Sequence, residues 1–248
     1  MKILALYSIK GGVGKTSSTV NLAFNAAKDG YRTLVWDLDP QAASSYYFRI
    51  KPKIKGGSKG ILTKESELDG LIKGTDFDNL DLIPADFSFR NLDLHLEDKK
   101  KPTRQLKKRL KPLADDYDVV FLDCPPSISL ASEAVFEAAD ALLCPIIPTT
   151  LSLRTLSLLK EFLEDHKLEE SLLVPFFSLV DNRKKMHKEI MNAVLGEYPD
   201  MLKTAIPYAS DIERMGLERK PLSAYSGKSR SATAYRELWQ EIVAHMNL

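Results

Sequence analysis

An α/β fold, with a mostly parallel twisted β-sheet and helices on both faces, is predicted by three features of the sequence. Short apolar runs alternate with helix-period patterns almost to the end of the chain, which buries parallel strands between helical layers. The chain opens with an apolar strand that feeds a glycine-rich turn and then a helix. Two later apolar runs end in aspartates, placing carboxylates at strand ends.

In chain order, the first strand is Lys2–Tyr7, followed by a helix over Thr16–Asp29 with apolar Val20, Ala23, Phe24 and Ala27 on one side. A strand over Thr33–Asp37 comes next. The segment Arg49–Gly60 mixes Pro52, Gly56, Gly57 and Gly60 with Lys51, Lys53, Lys55 and Lys59, and reads as a mobile surface loop. Strands are then expected at Leu80–Ile83, Asp118–Asp123, Ala141–Ile147, Leu172–Val180 and Thr204–Ile206. Helices are expected at Thr103–Leu113, Ser152–His166, Arg183–Leu195 and Ser231–Met246. The last carries Tyr235, Leu238, Trp239, Ile242, Val243 and Met246 at spacings that make one continuous buried face. No internal repeat or low-complexity linker divides the chain, so residues 1–248 read as a single domain.

Composition narrows the class. Hydrophobic residues at 44% and charged residues at 28% are ordinary for a soluble globular protein. The net charge of +1 does not advertise a nucleic-acid partner, so any such contact must come from a local basic patch. Cys124 and Cys144 sit in apolar runs and read as buried thiols in a reducing cytosol. No apolar stretch approaches the ~20 residues of a membrane span. The chain runs directly into strand and glycine-rich loop, leaving no room for a signal peptide. The expectation is a cytoplasmic protein.

The chemistry is concentrated in Ile9-Lys10-Gly11-Gly12-Val13-Gly14-Lys15-Thr16. Strand, glycine-rich turn, Gly-Lys-Thr and helix is the order that cradles a nucleoside triphosphate. Glycines let backbone N–H groups converge on phosphate oxygens that a Cβ would keep away. Lys15 is placed to reach the β and γ phosphates, and the Thr16 hydroxyl to hold Mg2+, with Ser17 next to it. The usual pattern has glycine where this chain has Ile9, and a second lysine, Lys10, opens the loop instead.

Such a loop needs carboxylates from neighbouring strands to position Mg2+ and the attacking water. Asp118-Val119-Val120-Phe121-Leu122-Asp123 is a buried strand ending in an acid, and Asp123 is the candidate for the metal's water shell. Leu34-Val35-Trp36-Asp37-Leu38-Asp39-Pro40-Gln41 ends in two acids. Asp39 is the candidate for orienting the hydrolytic water, with Asp37 as support or as a second metal group. Turn or helix capping is the alternative role for these aspartates.

Lys10–Thr16, Asp37–Gln41 and Asp118–Pro126 resemble the three nucleotide motifs of the ParA/Soj branch of the ParA/MinD ATPases, the deviant Walker A class of P-loop NTPases. Leu80-Asp81-Leu82-Ile83-Pro84-Ala85 is similar to that family's middle strand. Lys220-Pro221-Leu222 and Ser229–Leu238 are similar to its C-terminal segment, so the resemblance spans nearly the whole chain. Where the family often has Gly-Asn-Ala-Thr, this chain has Ala42-Ala43-Ser44-Ser45, which puts the helix after the first switch in doubt.

The resemblance implies a homodimer closed around two ATP molecules with Mg2+, in which Lys10 crosses to the partner's phosphates. Asp39 would permit hydrolysis, and Cys124–Ser127 would sense the γ-phosphate. Turnover would be slow until stimulated by a ParB-like or other adaptor. By position, adenine recognition falls to Asn182 and Pro207. The ATP dimer would bind DNA non-specifically through Arg219, Lys220, Lys228 and Arg230, Arg230 matching the family best, and so associate with the nucleoid while positioning a plasmid, chromosome or protein cargo. The cations from Lys99 to Lys111 read as a solvated amphipathic helix, with an extended DNA footprint as the alternative. The final helix lacks a cationic polar face, which argues against a MinD-like membrane switch. The cysteine spacing argues against an iron–sulfur cluster shared between subunits. The competing reading is an ATP-dependent dimerisation switch that positions a protein assembly, or acts at the membrane in a MinD-like way, without DNA binding.

Overall fold

The computed structural model describes residues 1–62, 68–194, 198 and 201–248. Seven strands form one sheet: β1 (Lys2–Leu6), β2 (Thr33–Asp37), β3 (Lys73–Gly74), β4 (Leu80–Ile83), β5 (Val119–Asp123), β6 (Ala141–Ile146) and β7 (Leu173–Phe177). Their order across the sheet is β3-β4-β2-β5-β1-β6-β7, all parallel except the β3–β4 pair. The central strands are buried at nearly every position and mostly apolar because both faces are covered, and alternate residues feed two cores. On one face Leu4, Leu6, Val35, Val119 and Phe121 meet α1 (Lys15–Lys28), α9 (Ser210–Glu218), α10 (Leu222–Ser226) and α11 (Arg230–Met246). On the other Ile3, Ala5, Trp36, Val120 and Leu122 meet α4 (Leu92–Glu97), α5 (Gln105–Leu110), α6 (Leu130–Ala138) and α7 (Thr150–Asp165).

The long periodic elements fall where the sequence places them. In α11 Tyr235, Leu238, Trp239 and Ile242 are buried, and Trp239 Nε1 donates to Asp29 Oδ2 at 3.0 Å. The expected Arg183–Leu195 helix is α8 (Lys185–Val194), and Leu195 itself lies outside the described residues. Thr103–Leu113 is three pieces instead of one: 3-10 turns at Pro102–Arg104 and Lys111–Leu113 flank α5. Pro112 has no N–H to continue an α-helical ladder.

One expectation is overturned and another is refined. Thr204–Ile206 is no strand, since only isolated bridges at Leu202 and Pro207 join this segment to the β7 side. The Glu241 carboxylate on α11 accepts the N–H groups of Lys203 and Thr204, drawing them away from a ladder. Arg49–Gly60, expected as a mobile surface loop, is exposed along most of its length but is anchored to the body and ends in a helix. Ile54 is buried, its N–H donates to Asp86 Oδ2 at 3.0 Å, and Ser58 N–H donates to Ser88 Oγ at 2.7 Å. The chain then enters α3 (Gly57–Ile61). The short α2 (Ala43–Tyr47) forms directly after the first acidic strand, so the helix that the Ala42–Ser45 departure put in doubt is present.

Both sheet edges are covered. At one, two-residue β3 pairs with β4. At the other, Leu202 N–H donates to Pro175 O at 2.9 Å and Ile206 N–H to Phe177 O at 2.8 Å.

Candidate active site

β1 runs into the glycine-rich loop and α1 begins at Lys15. Gly14, at the helix N-cap, has φ +94°, and a Cβ there would meet Ser178 Oγ at 2.8 Å. Both facts require glycine. No side chain caps α1 and no acid stands in its first turn, whereas hydroxyls of Thr149 and Ser229 cap α7 and α11. The first-turn N–H groups of α1 are therefore available to an anion, which the helix dipole also favours.

Lys15 is 7% exposed, and its Nζ donates to the Lys10 carbonyl at 3.2 Å. Burial lowers its pKa, opposed through space by Asp123 and Asp39. A buried ammonium held by a carbonyl alone is poised for a stronger anionic partner.

Asp37 and Asp123 are register neighbours at the ends of β2 and β5, and both are fully buried. Asp37 Oδ2 accepts from Ser45 N–H at 2.8 Å and Ser45 Oγ at 2.7 Å. Asp123 Oδ2 accepts from Ser44 Oγ at 2.7 Å, and its Oδ1 from Thr19 Oγ1 at 3.3 Å, with the Thr16 hydroxyl also bonded to this carboxyl. Burial first, then neighbouring carboxylates, pushes both acids well above the usual range. Two such carboxylates side by side resist ionising together, and a cation between them relieves that cost. Among the described residues no group of three or more His, Cys, Asp and Glu side chains could hold a metal by itself. That fits Mg2+, which takes one or two protein oxygens and completes its shell from phosphate and water.

Asp39 lies one step further out, half-buried, with Oδ1 accepting from Gln41 N–H at 2.9 Å. Ala42 occupies the left-handed region at φ 57°, turning the chain so that Ser44 and Ser45 meet the two buried acids. Beyond β5, Ser127 O accepts from Tyr7 OH at 2.7 Å, and Pro126 lies 3.9 Å from the Cβ position of Gly11. The Cys124–Ser127 segment thus lies against the glycine-rich loop. Asn182 is exposed and Pro207 buried; the Val180–Pro207 bridge brings their two loops together, next to Ser178 and Gly14.

The loop from Lys10 to Ser17 and the acids Asp37, Asp39 and Asp123 are thereby gathered at the carboxyl ends of the strands. The sequence reading missed Ser44, Ser45, Thr19 and Ser178. The serine pair was visible only as a departure from a family pattern. Ser178 Oγ is buried without a hydrogen-bond partner beside the loop.

The C-terminal basic residues separate into two kinds. Lys228 and Arg230 are exposed and Lys220 half-buried. Arg219 turns inward toward α2: its Nε donates to Tyr46 O, and its guanidinium covers the Tyr46 ring. Cys124 and Cys144 are both free and buried, and burial pushes both thiols upward.

A family model described as an AAA domain matches residues 1–173. The chain is 29% identical over 253 residues to the sporulation initiation inhibitor protein Soj of Bacillus subtilis, covering 98% of this chain and 99% of Soj. It is 32% identical to a virulence plasmid ParA family protein of Chlamydia psittaci, covering 98% of this chain and 94% of that protein. Its fold matches the crystal structure of a protein described as cobyrinic acid a,c-diamide synthase from Mycobacterium smegmatis, with bound ADP and magnesium. That match has a TM-score of 0.83 at 25% identity, over 100% of this chain and 96% of the other. An uncapped helix beneath a glycine-rich loop, a buried lysine and two paired strand-end acids accompany these similarities, and the chain belongs to the ParA family of partition ATPases.

Proposed function

We propose that the protein is a Mg2+-dependent ATPase that dimerises around ATP, binds DNA without sequence preference and hydrolyses ATP to segregate or position a cargo. The observation that carries the ATP reading is the buried Lys15 at the uncapped start of α1, close to Asp123 of the paired strand-end acids and to Asp39. In this reading the N–H groups of Gly11 to Ser17 and the Lys15 ammonium hold the phosphates, while Thr16 and Asp123 hold Mg2+, with Asp37 as its neighbour. The metal supplies charge neutralisation on the phosphates. Asp39 orients the water, and Lys10 reaches the second subunit's phosphates, a cation in trans for the developing charge. Asn182 and Pro207 border the base. The whole chain, residues 1–248, acts as one ATPase domain.

Lys228 and Arg230, with Lys220, form the DNA-facing set, and Arg219 supports them from within. Basal turnover is slow and an adaptor of ParB type completes the site. No helix among the described residues is long and apolar enough to cross a membrane. The test is binding of the Asp39→Ala protein to random duplex DNA, with ATP and with ADP, across a salt series. Tight, salt-sensitive binding with ATP alone is expected. An ATP-dependent dimer that ignores DNA would remove the DNA part of the reading and leave a protein-positioning switch.

A further inference from the structure

A second concentration of positive charge lies far from the nucleotide site. A groove of about 750 Å³ is lined by Lys100, Lys101, Arg104, Lys107, Lys108 and Lys111. Met1 and Ile3 at the start of β1, Ala114 ahead of β5 and Asp140 just ahead of β6 also line it, with Gln105 of α5 and Glu137 and Ala138 of α6. These are the amino ends of parallel strands whose carboxyl ends carry the phosphate loop and the paired acids. The groove therefore sits at the opposite pole of the sheet. It also sits on the opposite face from α11, since Leu106 and Leu110 of α5 enter one core and Leu238 and Trp239 of α11 the other.

The charge there is only partly compensated, six cations facing the two carboxylates Glu137 and Asp140. Among the described residues, Arg104 alone of the six cations has an ion pair, with Glu137 at 3.3 Å. The other carboxylate, Asp140, already accepts from Ile3 N–H at 2.7 Å. In a chain whose net charge is +1, five unpaired lysines along one groove are a local field that attracts a polyanion. Arg109 does not belong to the set, because its Nε donates to the Ile61 carbonyl at 2.7 Å.

The lining also selects the polyanion. Among the described residues no aromatic side chain lines the groove, so splayed bases find no stacking partner there and single strands gain little. Of the large apolar side chains in the lining, Ile3 is buried and Met1 is exposed, so the apolar anchors of an acidic peptide would find a single seat. Flexible lysines suit phosphates met at variable positions. We propose that this groove is a second docking surface for the backbone of duplex DNA, independent of bound nucleotide because it touches neither switch segment. It extends the DNA reading above but uses different residues.

The test uses the full chain and a random 30-base-pair duplex, without nucleotide and with ADP, between 25 and 200 mM salt. Wild type is expected to bind weakly and with strong salt dependence. The quadruple variant K101Q/K107Q/K108Q/K111Q is expected to lose at least ten-fold in affinity at 25 mM salt. Its log–log salt slope should fall by about 0.9 for each phosphate contact removed. R230A should weaken the ATP-dependent binding, while the quadruple variant weakens the nucleotide-free binding, so the two surfaces fail separately. Unchanged ATP binding by the quadruple variant shows that it is folded. An unchanged salt slope in that variant, or no wild-type binding without ATP, overturns the proposal. Poly-L-glutamate bound by wild type but not by the variant, with duplex binding equal in both, overturns it in favour of an acidic protein partner.

Discussion

The guanidinium of Arg219 lies 4.4 Å above the Tyr46 ring and its Nε donates to the Tyr46 carbonyl at 3.0 Å. Tyr46 OH in turn donates to Gly216 O at 3.2 Å, so α2 and the end of α9 are joined twice. The same α2 carries Ser44 and Ser45, which hold Asp123 and Asp37. One five-residue helix thus connects the buried acids to the C-terminal basic segment. Unfolding of Tyr46→Ala, Arg219→Ala and the double variant should give a coupling energy of about 0.5–1 kcal/mol. Strictly additive single effects would mean that the stacked pair contributes nothing.

Lys15→Ala should abolish ATP binding, because the buried ammonium has no substitute at the helix start. Lys10→Ala should keep ATP binding within a few-fold and lose hydrolysis, as removal of a cation acting only on developing charge does. Equilibrium binding of a fluorescent ATP analogue and single-turnover hydrolysis separate the two; equal loss of binding in both would refute the division of roles.

Asp39→Ala, loaded with ATP and Mg2+, should stay dimeric in analytical ultracentrifugation, since Asp39 is outside the buried pair. A monomer under those conditions would assign Asp39 to nucleotide binding instead.

Much of this was legible in the sequence because its signals were periodic or chemically constrained. The strand Thr33–Asp37 and the helix ending at Met246 follow from apolar spacing, and Gly14 from the phosphate loop's need for a close backbone. What escaped reading was set by single tertiary partners. Glu241 takes the N–H groups that would have made a strand of Thr204–Ile206, and Asp86 and Ser88 organise the lysine-rich stretch around Ile54. Ser44 and Ser45 carry no local pattern at all; their value appears only once β2 and β5 lie side by side.

Ala42 occupies the left-handed region at φ 57°, a conformation that is costly for a residue with a Cβ. Ala42→Gly should therefore raise stability by about 0.5–1 kcal/mol, the relieved strain outweighing the added chain entropy. Ala43→Gly, inside the helix, should lower it by up to about 1 kcal/mol. Urea midpoints decide; destabilisation by both substitutions would exclude the strain account.

His187 is 2% exposed and its Nδ1 accepts from Asp181 N–H at 3.1 Å. Burial first, then Lys184, lowers its pKa against the opposing effect of Asp181. The unfolded chain takes up a proton near pH 6.5 that the native ring refuses. This contribution to stability is therefore complete above that pH. It is lost as pH falls toward the lowered native value, at a rate approaching about 1.4 kcal/mol per pH unit. Comparing unfolding at pH 7.5 and 5.5, His187→Gln should show a smaller drop than wild type; an equal drop would place the titration elsewhere.

The covered edges of the sheet limit how copies of this protein can associate. Two-residue β3 closes one side, and the Leu202–Ile206 segment occupies the other, beside a Pro175 that has no N–H to offer. Among the described residues no long run of open backbone remains at the sheet edges to template strand addition, the route to irreversible fibres. Higher-order assembly must then be built from helices and loops, through side-chain contacts that can be made and released. Crowding many copies onto one scaffold therefore need not end in aggregation.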